Sequence, residues 1–170
     1  MKLPIETKRL FIVELNPNMA ESLHKNSLDD DNRKFMPDEV FETLEAAQDV
    51  IETLISFYEE ENMPLVYAIT LKDGTQVGHV EAVPIQSGWE VGYHIGIKYT
   101  NNGYASEALQ AFIPAIMEKL HLKQIYGICR LDNIASWKIL EKCKFELEYD
   151  GFGSYHGEEH HVVRYKKELD

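Results

Sequence analysis

Residues 90–108 read EVGYHIGIKYTNNGYASEA, an apolar strand that passes through a short turn directly into a helix. Small residues at Gly103 and Ala105 allow the backbone of this turn to approach a ligand closely. The first N–H groups of the helix lack intrahelical partners, and together with the helix dipole they suit a phosphate or pyrophosphate. The same strand–turn–helix arrangement also occurs as a purely structural turn, so both interpretations stand at this point.

The chain has 170 residues and a strong acidic excess. Its 17 Lys and Arg against 29 Asp and Glu give a formal net charge of −12. This balance argues against a nucleic-acid-binding protein, and it is compatible with a cationic partner or with a solvated surface. From the length we expect one domain over residues 1–170.

The cysteines and the apolar segments indicate in which cellular compartment the protein is expected. Cys129 and Cys143 match no metal or redox spacing, so we predict that both are core residues. The N-terminal residues lack the apolar segment of a signal peptide, and the longest uncharged apolar-rich run, 108–117, is about half of a membrane span. We therefore expect a reduced, cytoplasmic protein that does not associate with membranes.

Hydrophobic periodicity predicts about seven strands and four helices in the order β α α β β β α β α β β. The predicted strands are 9–15, 65–71, 76–85, 89–97, 124–129, 145–150 and 161–165. The predicted helices begin at Asn16 and Thr43, follow the turn at 100–103, and span 133–142, whereas 28–39 is predicted to be a loop. This order indicates an α+β fold, a mixed sheet with helices on its faces.

Other ligand motifs are weaker. The sequence has no GxxxxGK[ST], and residues 151–157 approach GxGxxG with the wrong spacing and no helix after them, so we interpret them as a flexible hairpin. His156, His160 and His161 lie beside two glutamates and have the chemistry to bind zinc, but no helical or CxxC frame holds them. We predict an exposed hairpin near the acceptor side and no metal site.

Two separate blocks resemble the GNAT superfamily of acyl-CoA-dependent N-acyltransferases. Gly103 and Ala105 occupy the small positions of its motif A, (Gln/Arg)-x-x-Gly-x-(Gly/Ala), and Thr100 replaces Gln/Arg as in the branch resembling RimJ and RimL, the ribosomal-protein N-terminal acetyltransferases. Residues 90–94, EVGYH, are similar to the Glu-Ile-Gly-Tyr-Trp strand of that branch. Residues 133–145 are similar to the family block Asn-x-x-Ser…Leu-Glu-Lys-x-Gly-Phe.

The resemblance implies a GNAT fold, a three-layer domain with a mixed, mostly antiparallel twisted sheet. It also implies that acetyl-CoA lies between the strand ending at Ile97 and strand 124–129, which would splay apart. Backbone groups of Ile95 and Ile97 would then pair with the acyl and pantetheine amides, and Asn133 would bind the pantetheine arm. The pyrophosphate would lie on the backbone N–H groups of Asn102, Gly103, Tyr104, Ala105 and Ser106.

Acyl transfer to an amine requires a neutral amine and a stabilised leaving thiolate. Glu90 is the candidate base because strand alternation places it on one face with Gly92 and His94; an exposed edge pair is the alternative. Ser136 would lie near the thioester sulfur and is the candidate donor to it, since Leu140 occupies the position where many family members have a tyrosine. A back-bonded helix serine is the alternative for Ser136.

Two positions depart from the family pattern. Lys144 replaces the usual glycine before Phe145, so we expect the preceding helix to end with a different cap. Pro114 falls inside the helix after the turn and removes one intrahelical hydrogen bond, which predicts a kink.

These observations favour an acetyl-CoA-dependent N-acetyltransferase of the RimJ/RimL-like branch that transfers directly to a primary amine, without a metal. The acceptor would be the N-terminal α-amine of a peptide or protein, or a small cationic amine. The alternatives are a catalytically silent GNAT-fold protein that binds acyl-CoA or a partner, and an acyltransferase with a longer acyl donor. A homodimer stays open.

Overall fold

A computed structural model describes residues 1–169, which fold into one open mixed sheet with helices on its faces. The strands are β1 (Ile5–Glu6), β2 (Leu10–Glu14), β3 (Leu65–Leu71), β4 (Gln76–Ile85), β5 (Gly88–Ile95), β6 (Gln124–Arg130), β7 (Glu146–Tyr155) and β8 (Glu158–Glu168). Their order across the sheet is β1-β2-β3-β4-β5-β6-β8-β7. Adjacent strands in this order are antiparallel except β5 and β6, which are parallel.

The helices lie between strands in the chain. They are α1 (Ala20–Ser27), α2 (Asp30–Phe35), α3 (Leu44–Ser56), α4 (Tyr104–Lys119) and α5 (Ile134–Lys142). Among residues 1–169, no helix is both long and apolar enough to cross a membrane. The predicted α+β class, with its mostly antiparallel sheet, is confirmed; the structure adds one short strand, β1, and one helix, α2, to the predicted set.

The two faces of the sheet pack against different helices. On one face, Val80 of β4 and Val91 of β5 join a large core with residues of α4 such as Phe112. On the other, Val66 and Ala68 of β3 pack in a smaller core with residues of α1 and α3. Because side chains alternate along a strand, the polar residues that separate the buried apolar ones on β4 and β5 face the side of α1 and α3.

The loop predicted at 28–39 is wrong, since its centre is α2. The Asp29 carboxylate caps this helix by accepting the Asn32 N–H at 2.8 Å. Asn32 is buried, and its Nδ2 donates to the carbonyl oxygens of Ser27 at 2.9 Å and Glu39 at 3.0 Å. A six-residue helix rich in charge carries too little apolar periodicity to be recognised in the sequence.

Several element ends also differ from prediction. The strand predicted to end at Ile97 ends at Ile95, and Ile97–Tyr99 forms a 3-10 turn. The two C-terminal strands are longer than predicted, so most of the segment 151–157, predicted to be a flexible hairpin, belongs to β7. Cys129 and Cys143 are buried as predicted.

The end of α5 corrects the expectation for Lys144. This lysine has a φ of +63°, the left-handed conformation that glycine usually adopts at this position. Its N–H donates to the Glu141 carbonyl at 2.9 Å, and the Phe145 N–H donates to the Leu140 carbonyl at 3.1 Å. These two bonds form the ordinary cap of a helix that ends in glycine, so lysine keeps the family cap at the cost of backbone strain.

Candidate active site

A cleft of about 1010 Å³ lies where β5 and β6 separate. Glu90 lies opposite Tyr126 as the registered pair of these parallel strands, and the predicted separation is observed beyond it. Backbone polar groups along the separated edges are available to a ligand that takes the place of a strand. The predicted site residues that line the cleft are Glu90, Ile95, Ile97, Gly103, Tyr104, Ala105, Ser106, Asn133 and Ser136.

The turn before α4 has the conformation that its small residues favour. Gly103 has a φ of +77°, and the atom closest to where its Cβ would lie belongs to Arg9, 3.6 Å away. Glycine is therefore favoured here by the backbone conformation rather than by lack of space. The first intrahelical bond runs from the Glu107 N–H to the Gly103 carbonyl at 3.1 Å, which leaves the N–H groups of residues 104–106 for a ligand.

Asn102 differs from the other predicted residues of this turn. Its side-chain Nδ2 donates to the carbonyl oxygens of Tyr99 and Thr100, both at 3.0 Å, and Asn102 does not line the cleft. The side chain therefore braces the turn. A contribution of the Asn102 backbone N–H to ligand binding stays a prediction.

Arg9 brings a positive charge to the turn that the sequence did not reveal. Its Nε lies 2.7 Å from Glu107 Oε2, and its guanidinium lies 4.8 Å from the centroid of the Tyr104 ring. These contacts hold the arginine beside the first turn of α4. The pairing joins residues almost one hundred positions apart, so no local pattern indicates it.

Ser136, at the start of α5, contacts a tyrosine that was not predicted. The Tyr93 hydroxyl donates to the Ser136 carbonyl at 2.7 Å and lies 2.9 Å from Ser136 Oγ. Burial raises the pKa of Tyr93, so this hydroxyl keeps its proton. Burial also raises the pKa of Cys129 to about 11, and the Ser136 hydroxyl moderates that rise through a hydrogen bond to the thiol. A hydroxyl pair thus lies in the cleft where one serine was expected.

Asn133 and Leu140 support the same helix. The Asn133 side chain accepts the Ser136 N–H at 3.3 Å and thereby caps α5. Leu140 is buried in the core, and its side chain packs directly over Gly127. A Cβ at position 127 would lie 2.5 Å from Leu140 Cδ2, so only glycine fits there. The leucine therefore packs the helix onto β6, and it offers no hydrogen-bond donor to the cleft.

Glu90 has the properties of a general base that works near neutral pH. Burial, reinforced by the negative charge of Glu39, raises the pKa of Glu90 to about 7, although a hydrogen bond from the Ile128 N–H opposes the rise. The carboxylate thus lies on the α1–α3 side of β5 and also reaches across to β6. A base with a pKa near the working pH is the most effective in proton transfer.

Three further groups beside Glu90 were not predicted: Glu39, His79 and Glu81. Their ligand atoms lie within 4.8 Å of one another, and His79 Nε2 lies 3.1 Å from Glu39 Oε2. Although burial opposes it, the Glu39 carboxylate raises the pKa of His79, which favours the charged form of this pair. Burial and the charges of Glu39 and Glu90 raise the pKa of Glu81 to about 8. The alternation of polar and apolar residues along β4 was the only sequence signal for this group.

Gly92, between Glu90 and His94, leaves the space that the Glu81 side chain occupies. Register pairs Glu81 with Gly92 and His79 with His94 on the neighbouring strand. A Cβ on Gly92 would overlap the Glu81 carboxylate. The space that the sequence indicated beside Glu90 is therefore filled by a carboxylate from β4.

Histidine–carboxylate pairs hold segment 29–39 over the end of the cleft that contains Glu81 and Glu90. His94 Nε2 lies 3.4 Å from Asp29 Oδ2, and His156 Nδ1 lies 2.6 Å from Asp38 Oδ2. With the pair between Glu39 and His79, both ends of the segment are fastened to the sheet. Segment 29–39 forms one wall of the cleft, and the polar face of β4 and β5 forms another.

The three histidines of the C-terminal hairpin do not converge. His156 pairs with Asp38, His160 Nε2 lies 3.3 Å from Glu158 Oε2, and His161 Nε2 lies 2.5 Å from Asp150 Oδ1. Each imidazole thus has a separate carboxylate partner. His156 lines the cleft, whereas the other two do not.

Comparison with known proteins identifies relatives of the whole domain. Residues 9–146 match the family model described as acetyltransferase (GNAT) domain. YnaD, an uncharacterized N-acetyltransferase of Bacillus subtilis, is 26% identical over 146 residues, which are 85% of this chain and 83% of YnaD.

Solved structures share the fold along almost the whole chain. RimL, a ribosomal L7/L12 α-N-protein acetyltransferase in complex with coenzyme A, superposes with a TM-score of 0.82 at 20% identity over 99% of this chain and 98% of RimL. The microcin C7 self-immunity acetyltransferase MccE, in complex with acetyl-CoA and AMP, gives 0.83 at 18% identity over 99% and 100%. At these identities the likeness concerns the fold.

Proposed function

The chain belongs to the GNAT acetyltransferase family, and on that premise we propose that it transfers an acetyl group from acetyl-CoA directly to a primary amine. The observation that carries this proposal is the position of Glu90, at the point where β5 and β6 separate. The raised pKa of Glu90, about 7, suits a base that removes a proton from an ammonium acceptor. The RimJ/RimL-like resemblance and the fold shared with RimL support an α-amine or a small cationic amine as acceptor.

The residues of the cleft fit acetyl-CoA. The left-handed Gly103 and the N–H groups of residues 104–106 suit a pyrophosphate, and the separated edge of β5 at Ile95 suits the amides of a pantetheine arm. Acetyl-CoA supplies the activated acyl group as a thioester. The Lys138 and Lys142 side chains also line the cleft, Lys142 beside the first turn of α4, and they favour an anionic ligand.

The chain then provides two groups for the transfer. Glu90 accepts the proton of the acceptor amine, directly or through one water molecule. Ser136, whose hydroxyl is paired with that of Tyr93, donates a hydrogen bond to the departing sulfur. Because burial keeps the Cys129 thiol protonated, it is a poor nucleophile, which favours direct transfer over an acyl-cysteine.

A thermal-shift titration with acetyl-CoA and with coenzyme A, followed by a thiol-release assay with amines and peptides, tests the proposal. A ligand at 100 times its Kd adds about 2.7 kcal/mol of stability, or roughly 5 to 10 °C for a chain of this size. We expect this shift, and thiol release that depends on an added amine. No shift at millimolar ligand would refute the proposal. A shift without release from any amine would favour the silent acyl-CoA-binding alternative.

A further inference from the structure

The end of the cleft under segment 29–39 holds a concentration of carboxylates. Asp29, Asp31, Asp38 and Glu39 come from the segment, and Glu81 and Glu90 from the sheet; all six line the cleft. Among the described lining residues, the only Lys or Arg are Lys138 and Lys142 of α5, the helix whose end lies beside the first turn of α4, with Cys143 Sγ 3.8 Å from the Ser106 carbonyl. An anionic cavity of this kind concentrates cations and raises their rate of association.

The carboxylates of this end differ in their partners. Asp29, Asp38 and Glu39 each lie beside a histidine. Glu81 has no such partner of its own: it shares the charge of His79 with Glu39, since the ligand atoms of the three residues lie within 4.8 Å of one another. Two carboxylates that share one histidine leave an excess of negative charge, which is unfavourable in a cleft unless it binds a proton or a positive ligand.

The distance between Glu81 and Glu90 determines how far apart two ammonium groups of one ligand would have to be. Glu81 lies opposite Gly92, two residues from Glu90 on the neighbouring strand, so the two glutamates are diagonal neighbours on one face of the sheet. Diagonal neighbours on adjacent strands are about 7–8 Å apart. Two ammonium groups that contact both carboxylates would therefore be separated by about three to five carbons.

We propose that Glu81, with the adjacent pair of Glu39 and His79, binds a second ammonium group of the acceptor, so that the preferred acceptor is a compact diamine or polyamine. This inference rests on the proposed function, because it places the reacting nitrogen at Glu90. The ligand atoms of the three residues lie close enough for one small cation to contact them all. A peptide with a neutral side chain would leave Glu39 and Glu81 sharing the charge of His79 alone.

Proton release on binding provides an independent signature. In the free protein at pH 7, Glu81 is mostly protonated and Glu90 about half protonated, since their pKa values are raised to about 8 and about 7. The charges that act on Glu81 come from Glu39, His79 and Glu90. A bound dication lowers both glutamate pKa values, so binding at pH 7 must release protons, and this release must vanish above about pH 9.

Acetylation of 1,4-diaminobutane and of butylamine, which have equal carbon number, is compared by thiol release at pH 8 in the presence of EDTA. We expect kcat/KM for the diamine to exceed that for butylamine by about tenfold or more. Glu81→Gln should bring the ratio near one, and Glu52→Gln, a change on the exposed face of α3, should leave it unchanged. A ratio near one in the native protein, a ratio retained in E81Q, or a preference for a neutral peptide would overturn the inference.

Calorimetry separates this inference from the proposed function. 1,4-Diaminobutane is titrated into the native protein and into E81Q in two buffers of different ionisation enthalpy, with coenzyme A and EDTA present. We expect binding with proton release at pH 7 in the native protein and at least tenfold weaker binding in E81Q. This result without thiol release would refute the proposed function alone, whereas thiol release without diamine binding would refute the inference alone.

Discussion

The two ends of the cleft are built in different ways. At the α4 end, the ligand-facing groups belong mostly to the backbone: the left-handed Gly103, the free N–H groups after it, and the separated edge of β5. At the end under segment 29–39, side chains from four separate parts of the chain converge, among them Glu39, Glu81 and Glu90. A backbone site binds the constant part of a ligand, whereas a side-chain site changes its preference with a single substitution.

The charges of the two ends differ as well. Arg9 and Lys142 lie at or near the α4 end, and the carboxylates lie at the other. Glu90 stands between them, at the last registered pair of β5 and β6. An anionic donor and a cationic acceptor would therefore enter opposite ends and meet at Glu90.

Glu90→Gln tests this meeting point and should have the largest effect. Loss of a general base reduces kcat/KM by about 100- to 1000-fold. Because the carboxylate accepts a proton only when ionised, activity of the native protein should rise with pH through the raised pKa of Glu90, about 7. In E90Q that rise should disappear, leaving only the dependence due to the amine itself.

The measurement is a pH profile of kcat/KM by thiol release, with acetyl-CoA affinity followed in parallel. Glu52→Gln is the matched control, since Glu52 is exposed on α3 and remote from the cleft. A value for E90Q within threefold of native would assign the proton to another group.

Gly103→Val tests the backbone end alone. Valine at a φ of +77° costs at least about 1–2 kcal/mol, which the turn avoids by changing conformation. We expect acetyl-CoA affinity to fall by about tenfold or more while the Kd of 1,4-diaminobutane changes little. Gly74→Val is the control, because Gly74 has a φ of +90° in the β3–β4 turn and its Cβ would meet nothing within 4 Å. Equal effects of the two variants on acetyl-CoA binding would contradict the assigned role.

The same difference explains what the sequence predicted. Residues 90–105 are contiguous, and their glycines indicate backbone conformation directly, so the separated strands and the turn were predicted and observed. Glu39, His79 and Glu81 were missed because strand register and a short helix bring them together, and neither leaves a local pattern. Tyr93 was overlooked beside Ser136 for the same reason. At Lys144 the sequence predicted a difference that the structure does not have. A different cap was expected at the end of α5, but the lysine adopts the left-handed conformation of a glycine and the cap is the ordinary one.

Glu81→Gln also tests the electrostatics of the acceptor end through stability. In the unfolded chain a glutamate titrates near pH 4.5, whereas in the folded protein the pKa of Glu81 is about 8. The folded state therefore holds the extra proton between these values, and stability must fall as pH rises from about 5 to 9. Glutamine resembles the protonated acid, so E81Q should lose less stability over this range.

The expected gain of E81Q over native at pH 9, relative to pH 5, is on the order of 1 to a few kcal/mol. Thermal melts at both pH values measure it, with E52Q as the surface control. Parallel curves for native and E81Q would mean that Glu81 is ionised in the folded state at neutral pH, which would remove the reason for it to release a proton on binding.

Lys144→Gly should have the smallest effect and lies outside both ends. The φ of +63° at position 144 strains lysine and suits glycine, while the cap bonds to Glu141 and Leu140 use backbone atoms only. We expect a gain of about 0.5–1 kcal/mol, or about 1–4 °C in Tm, because relief of strain exceeds the added entropy of the unfolded chain. Lys119→Gly, in the helical last turn of α4, should instead lose about 1 kcal/mol. If K144G is stabilised while kcat/KM and the affinities for acetyl-CoA and diamine stay unchanged, the strain at position 144 is relieved without any effect on the cleft. A destabilised K144G would show that the lysine side chain itself holds α5 against the sheet.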